Sequence, residues 1–373
     1  MRDEKGRVAT ENERTILDII HRNPGISRSS LTNHTDWKQQ SVNRLVHSLI
    51  SRELVQVGEA SITGPGQPSP KLTVNHEAGY AFGISLNTDA IRLSLVNLGC
   101  EELECVFVET DPSDRGKALK AIRRAADDLS IKYRIGRDNV LGFGFAITGF
   151  RLSAPDMFST PPPLREWSEM PLLQPLMESL GFPVWIENNA TAGAIAESLV
   201  GAGRNHSSFS YLSFNFGFGS GIIIDGKPLT GTHNNAGEIG FLFKTNEKTS
   251  RPALGELLKR LNARGNNVSS IRELNQRFDP DWPGVREWVE EVTPSLNLAI
   301  RALSATTDPS AIVFGGEAPV ALQDILIAAA DPFPAVEPSV SEPVRPVLLN
   351  SSIEGDAATF GAALLPIKQS VLL

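Results

Sequence analysis

The stretch "VWIENNATAGAIAE", residues 184–197, runs from an apolar strand into a helix of small residues and puts Asn188 and Asn189 at the corner. An asparagine there can cap the helix, hold a ligand hydroxyl, or do both. Catalyst, clamp and cap are the roles open to the pair. Two other stretches carry comparable chemistry. "NFGFGSG" places Gly217, Gly219 and Gly221 at alternate positions, which suits close approach to a phosphate or a tight hairpin. A glycine loop alone says little about phosphate, and the hairpin is the plainer reading. "HNNAGEIGF" supplies His233, Asn234, Asn235 and Glu238. A carboxylate or carboxamide can bridge two vicinal hydroxyls, and a cleft excludes competing water.

A different chemistry stands at the front of the chain. In "WKQQSVNRLVHSLISREL", Val42, Leu45, Val46 and Leu49 form an inward stripe at helical spacing and leave Lys38, Gln39, Gln40, Asn43 and Arg44 outside. Amides read adenine edges and arginine reads guanine in a major groove, while Lys38 and Arg28 suit phosphate. The helix is preceded by "ENERTILDIIHRN", ended by Pro24 and Gly25, and by the short "SRSSLTNH" with Ser27 as N-cap. Two strands around a Gly/Pro loop follow, with Gly64 to Pro70 as wing tip. Together these predict a winged helix-turn-helix over residues 1–75.

Charge agrees with that placement. The chain of 373 residues has formal charge -8, yet residues 1–75 hold 10 Lys+Arg against 8 Asp+Glu, a net +2, leaving -10 for the rest. Contact with a polyanion must therefore concentrate at the front. No apolar run is long enough to span a membrane, and the charged N-terminus "MRDEKGRVATENER" is unlike a signal peptide. A cytoplasmic protein without membrane association is expected. Cys100 and Cys105 are the only cysteines, so reduced thiols are expected and neither a disulfide framework nor a four-ligand metal cluster.

From Tyr80 the elements alternate. Strands "YAFGISL", "IRLSLVNL" and "ELECVFVET" precede an amphipathic helix over roughly 114–133 and the strand "NVLGFGFA". The pattern returns from 208 with "FSYLSFNF", "GSGIIIDG" and "AIVFGG". Two such halves predict a duplicated α/β fold whose lobes enclose a cleft, with the corner at 188 and 189 opening on it.

The combination of "WIENNATAGAIAE", "FNFGFGSGIIIDGKPLTG" and "NNAGEIGF" resembles the ROK family of repressors, open reading frames and sugar kinases. The likeness runs from the wing phrase "GPGQPSPKLTVN" to "FGAALL". It implies an actin-like, ribonuclease-H-like sugar kinase fold behind the winged helix. The expected division is 1–75 and 76–373, with one lobe of about 76–187 completed by a C-terminal helix over 356–366 and another of 188–355.

The resemblance also assigns roles. Asn188 matches an Asn that binds a sugar hydroxyl, Glu238 a Glu that grips sugar hydroxyls, and Thr148 and Gly149 a Pro-Gly loop. Asn189 stands where family kinases have the Asp that takes the proton of the attacked hydroxyl, and a carboxamide has no lone pair of comparable basicity. Asn189, His233, Asn234 and Asn235 become candidate sugar contacts. The first phosphate loop is replaced by Ser85, Leu86, Asn87 and Thr88, without an acidic residue or a glycine. In the second, Asn215 and Phe216 stand where small and hydroxylated residues belong, so Phe216 is expected to obstruct a nucleotide. Phe241 replaces a zinc-ligating His, and "LFKTNEKTSRPALGELL" has no Cys, so no metal and no cofactor are expected. The implied protein is a DNA-binding regulator, a repressor working as a dimer or tetramer on an operator, whose inactive cleft senses a sugar or sugar derivative. A sugar kinase carrying a DNA-binding domain is the alternative.

Overall fold

A computed structural model describes residues 8–60, 70–333, 341, 343–353 and 355–372. The wing tip expected at 64–70 lies outside the described residues except for Pro70.

The front domain is built on α1 (Glu11–Arg22), α2 (Arg28–Thr32) and α3 (Gln39–Ser51) with a small sheet of β1 (Ile26–Ser27), β2 (Val55–Ala60) and β3 (Pro70–Val74) in the order β1-β3-β2. Thr10 and Glu13 form a reciprocal capping box on α1, and the Ser27 hydroxyl accepts from Ser30 N on α2. α3 begins two residues later than the sequence pattern suggests, because Trp37 packs against the domain core ahead of it. Glu13 is buried, which by itself would raise its carboxyl. Hydrogen bonds from Thr10 and Ser48 and the Arg52 guanidinium together hold it below the ordinary carboxylate range. The carboxylate thus ties α1 to the far end of α3.

The rest is two sheets of one topology. The first comprises β4 (Tyr80–Leu86), β5 (Ile91–Asn97), β6 (Glu102–Phe107), β7 (Val140–Ile147) and β10 (Val184–Asn188), in the order β10-β7-β4-β5-β6. α4 (Arg115–Lys132), the pair β8 (Phe150–Arg151) and β9 (Phe158–Ser159), and α5 (Leu173–Leu180) intervene, and α6 (Asn189–Val200) follows. The second has β11 (Phe209–Phe214), β12 (Phe218–Ile224), β13 (Lys227–Pro228), β14 (Ala311–Gly316) and β15 (Val347–Asn350), in the order β13-β12-β11-β14-β15. α7 (Leu254–Ala263), α8 (Ile271–Arg277), α9 (Val285–Thr307) and α10 (Val320–Ala329) belong to it, and α11 (Ala357–Ser370) closes the chain. In each sheet an antiparallel meander is extended by two parallel strands. The duplication expected from strand order is present.

α11 lies between the first sheet and α6 at backbone distance. A Cβ on Gly144 would stand 1.7 Å from the Ala362 carbonyl oxygen, and one on Gly361 1.8 Å from that of Ala192. The helix also passes Pro366, where the sequence reading ends it, and continues to Ser370. Proline deprives the Ala362 carbonyl of its helical donor. That carbonyl is the one seated on Gly144, and burial of Leu365, Ile367 and Val371 carries the helix onward.

Candidate functional site

The interlobe site follows from register. Parallel pairing of β7 with β10 sets Asn188 opposite Ile147, so Thr148 and Gly149 leave one strand end where α6 starts from the next. A cavity of about 210 Å³ opens there, lined by Thr148, Gly149, Asn188, Asn189 and Glu238 together with Ser213, Asn215 and Arg251. It lies below the range usual for drug-sized ligands.

Asn188 is the N-cap of α6, its Oδ1 accepting from Ala190 N at 2.8 Å and Thr191 N at 3.4 Å while its Nδ2 donates to the Gly149 carbonyl at 2.5 Å. It therefore fixes the loop of one strand to the helix of the next. Asn189 is 4% exposed and donates through Nδ2 to Asn87 Oδ1 at 2.7 Å and Thr148 Oγ1 at 3.0 Å. Its Oδ1 is buried with no hydrogen-bond partner among the described residues, a polar atom that a ligand hydroxyl would satisfy.

Glu238 is half-buried, and burial pushes its carboxyl up against the opposing pull of the Gly240 amide and the Arg251 guanidinium. Arg251 was not among the residues read from sequence. It reaches the cavity from the segment before α7, whose first amides are held by the Asn215 and Phe216 carbonyls.

His233 and Asn235 do not line this cavity. Positive φ at Gly231 and Asn234 forms a turn that leaves His233 and Asn234 exposed. The Asn235 side chain is committed instead to the backbone of Arg151, accepting from its N–H at 2.8 Å and donating to its carbonyl at 2.9 Å. Arg151 in turn donates to Glu187 and to the Ile186 carbonyl, so the two-point clasp fastens the lobes beside the cleft. At the same rim, Phe150 and Phe241 meet edge to face at 6.0 Å. The position expected to lack a zinc ligand thus carries an aromatic contact, and neither cysteine is near it in the fold: Cys100 follows β5 and Cys105 lies on β6. The donor set does not fit zinc.

The residues that the resemblance sets at the first phosphate loop are bonded to the start of α11. Ser85 donates to Asp356 Oδ2 at 2.5 Å and shares a hydrogen bond with Thr359, while Asn87 Nδ2 donates to the same Asp356 oxygen at 3.4 Å. Asp356 caps α11, so a continuous polar chain joins Asn189 to that helix. Beside it Arg92 meets Glu317 at 3.2 Å. Phe216 turns onto Gly255 at the start of α7, where a Cβ would lie 3.1 Å from its ring, and does not line the cavity.

On the front domain, Lys38, Gln39, Gln40, Asn43 and Arg44 are exposed along one side of α3 while Val42, Val46 and Leu49 are buried on the other. His47 is exposed one turn further on and extends the row. Arg28 is half-buried at the start of α2.

A family model described as "ROK family" matches residues 81–369. The chain belongs to the ROK family. An uncharacterized protein, y4fQ, of Sinorhizobium fredii is 27% identical over 358 residues, covering 95% of this chain and 90% of that one. The xylose repressor of Bacillus subtilis is 26% identical over 232 residues, 62% of this chain, and the match spans only 60% of that repressor. In fold, a crystal structure of a ROK family transcriptional regulator, a homolog of the E. coli MLC protein, superposes with TM-score 0.68 over 99% of this chain and 98% of that chain at 18% identity. That ROK regulator is alike from the winged helix to α11. Among the described residues no helix is long and apolar enough to cross a membrane.

Proposed function

We propose that this ROK protein is a cytoplasmic, sequence-specific DNA-binding repressor controlled by a sugar or sugar derivative held between its lobes. Residues 1–75 bind the operator and residues 76–373 bind the effector. The observation that carries the reading is Asn189. At the position where a base would activate a hydroxyl stands a buried amide whose nitrogen is spent on Asn87 and Thr148, beside Asn188 and Glu238 in one cavity. Such a site can hold hydroxyls and has no group there to remove their protons.

Gln39, Gln40, Asn43 and Arg44 read the operator, with Lys38 and Arg28 on phosphate, and a dimer supplies two recognition helices for a pseudo-palindrome. Thr148, Gly149, Asn188, Asn189 and Glu238 form the effector site. His233 and Asn235 do not line that cavity, and Asn235 is bonded to the backbone of Arg151. Control is a population shift, in which the effector must prefer the lobe arrangement that misplaces the recognition helices.

Selection of binding sites from a random duplex pool by the full chain is expected to return a two-fold symmetric sequence, and a sugar panel in thermal unfolding to reveal a stabilising ligand. A ligand at about 100 times its Kd adds about 2.7 kcal/mol. The kinase reading draws on the sugar-side residues, and hexose-dependent ADP release above background would establish it over this one.

A further inference from the structure

We propose that a second ligand site lies where the front domain meets the lobes, and that it takes a small organic anion, a carboxylate or a phosphate ester, between His21 and Arg204. The site is distinct from the interlobe cavity and does not depend on the sugar-sensing reading of it.

Three observations carry it. The first is a cavity of about 660 Å³ at this junction, larger than the interlobe one and within the range usual for small-molecule sites, which favour domain interfaces. Its walls come from the end of α1, from β3 and the segment after it, from the β5–β6 turn and from the end of α6.

The second is that its polar groups divide into spent and unspent. Gln56 donates to Asn75 Oδ1 at 2.8 Å, Asn75 donates to the Glu53 carbonyl, and Glu101 Oε2 is shared by His76 and Asn97. The side chains of His21 and Arg204 line the same cavity without a hydrogen-bond or ion-pair partner among the described residues. Burial holds the His21 imidazole below its ordinary basicity, and Arg22, Arg204 and His76 act in the same direction against Asp18 alone. Asp18 is itself engaged by Arg22 at 2.8 Å, and of the two acids in the wall Glu101 is taken and Glu77 is exposed. A ligand anion supplies the countercharge that this corner lacks.

The third is that the two groups stand on elements already joined to the interlobe cavity. α6, capped by Asn188 at that cavity, ends with Val200 in the wall of this one. Buried Glu197 of α6 accepts from Ala202 N at 2.8 Å and so fixes the turn that carries Arg204. Ile195, Ala196 and Leu199 of α6 share an apolar cluster with Ile16, Leu17 and Ile20 of α1, immediately before His21.

The guanidinium offers two parallel donors to a carboxylate or phosphate, and the imidazole adds one more. Ile20, Val74 and Val200 supply an apolar wall, so the anion carries a short hydrocarbon body. Bridging the end of α1 to the end of α6, the ligand holds the front domain in one position against the lobes.

The test is calorimetric titration of the full chain with two arms: acetate, butanoate and hexanoate, and inorganic phosphate with methyl and butyl phosphate, each against the neutral amide or alcohol of the same length. One anionic arm is expected to bind at least about tenfold more tightly than its neutral counterparts, the scale of one charge-assisted bond, and to tighten with chain length. The arm that binds separates carboxylate from phosphate. Arg204→Gln, at an exposed side chain, and His21→Gln should each remove that preference, whereas Glu238→Gln should leave it. Neutral compounds binding as well as the anions, no binding in either arm, or a preference that survives both variants would overturn the site. A preference lost in Glu238→Gln and kept in Arg204→Gln would overturn it by placing the anion between the lobes. With the anion saturating, affinity for a duplex selected by the chain should change by about fivefold or more; an unchanged affinity would overturn the link from this site to the front domain.

Discussion

Arg14 of the front domain donates from Nε to the carbonyl of Leu372 at 2.7 Å, and its Nη2 reaches the Lys368 carbonyl. The first helix of the front domain thereby grips carbonyls at and just beyond the C-terminal end of α11, and Ala9 N adds a bond to Ser370 O at 2.8 Å. At its other end α11 is capped by Asp356, the partner of Asn87 and Ser85 at the base of the cleft. Ile16, Leu17 and Ile20 of α1 share one apolar cluster with Val371 and Leu372. The helix therefore runs from the polar network behind the interlobe cavity to the domain that carries α3.

Arg14→Ala should loosen that junction without disturbing either sheet. Hydrogen bonds from a charged group contribute about 1.5–3 kcal/mol, so amide exchange across α1 should accelerate while exchange in β4, β7, β11 and β14 is unchanged. Equal protection of α1 in both proteins would show that the apolar cluster alone holds the domain.

The exposed row on α3 divides by chemistry. Arg44→Ala should cost about 1–3 kcal/mol of operator affinity and relax preference at one base position, whereas Lys38→Ala should lower the salt slope by about 1 and affect all sequences alike. Binding measured across a salt series on selected and scrambled duplexes separates them. Unchanged affinity and preference in both variants would mean that α3 is not the reading element.

Asn189→Asp restores a carboxylate at the corner, and hexose-dependent ADP production should nonetheless stay at background, because Ser85 and Asn87 are bound into the α11 cap and supply no phosphate cradle. The substitution also turns a donor facing Asn87 Oδ1 into an acceptor, at a cost of about 1–3 kcal/mol that a denaturant midpoint would register. Phosphorylation of any hexose by this variant would show that the amide alone holds the cleft inactive.

Much of this architecture was legible because it is written in short-range pattern. Period-two and period-3.6 runs gave both meanders and α1 to α4, and Ser27 announced α2 as its cap. The ROK motifs placed Thr148, Gly149, Asn188, Asn189 and Glu238 around one cavity. What escaped depends on partners distant in sequence. Asn235 looks like a ligand group until Arg151, 84 residues away, takes both ends of its amide. Arg251 lies in a stretch without periodicity and enters the cleft only because the carbonyls of Asn215 and Phe216 fix the start of α7. Pro366 reads as a helix end unless Gly144 is known to receive the Ala362 carbonyl.

That last contact is directly testable. Gly144→Ala would put a methyl 1.7 Å from a backbone oxygen, and neither β7 nor α11 can move without disturbing the core between them. The cost should reach the upper end of the about 1–3 kcal/mol typical of overpacking, or exceed it. Gly136, where a Cβ meets nothing within 4 Å, is the control, and Gly136→Ala should unfold within about 0.5 kcal/mol of the parent. Comparable midpoints for the two variants would mean that α11 has slack against the sheet.

Glu317 gives a pH dependence of definite sign. It is 4% exposed, and burial, with Asp356 at the α11 cap and Asp89 in the β4–β5 turn nearby, outweighs the attraction of Arg92 on β5 and pushes its carboxyl up to about 8. An unfolded glutamate titrates near 4.5. Between those values the folded chain keeps a proton that the unfolded chain has released, so stability contributed by this group is complete below pH 4.5 and is lost as pH rises toward 8. Glu13, whose carboxyl is held low, acts in the opposite sense and only at more acid pH. Thermal unfolding followed from about pH 5 to about pH 9 should therefore show a decline that Glu317→Gln flattens, since the glutamine remains neutral throughout and can still accept from Arg92. An equally steep decline in the variant would assign the proton to another group at the lobe junction.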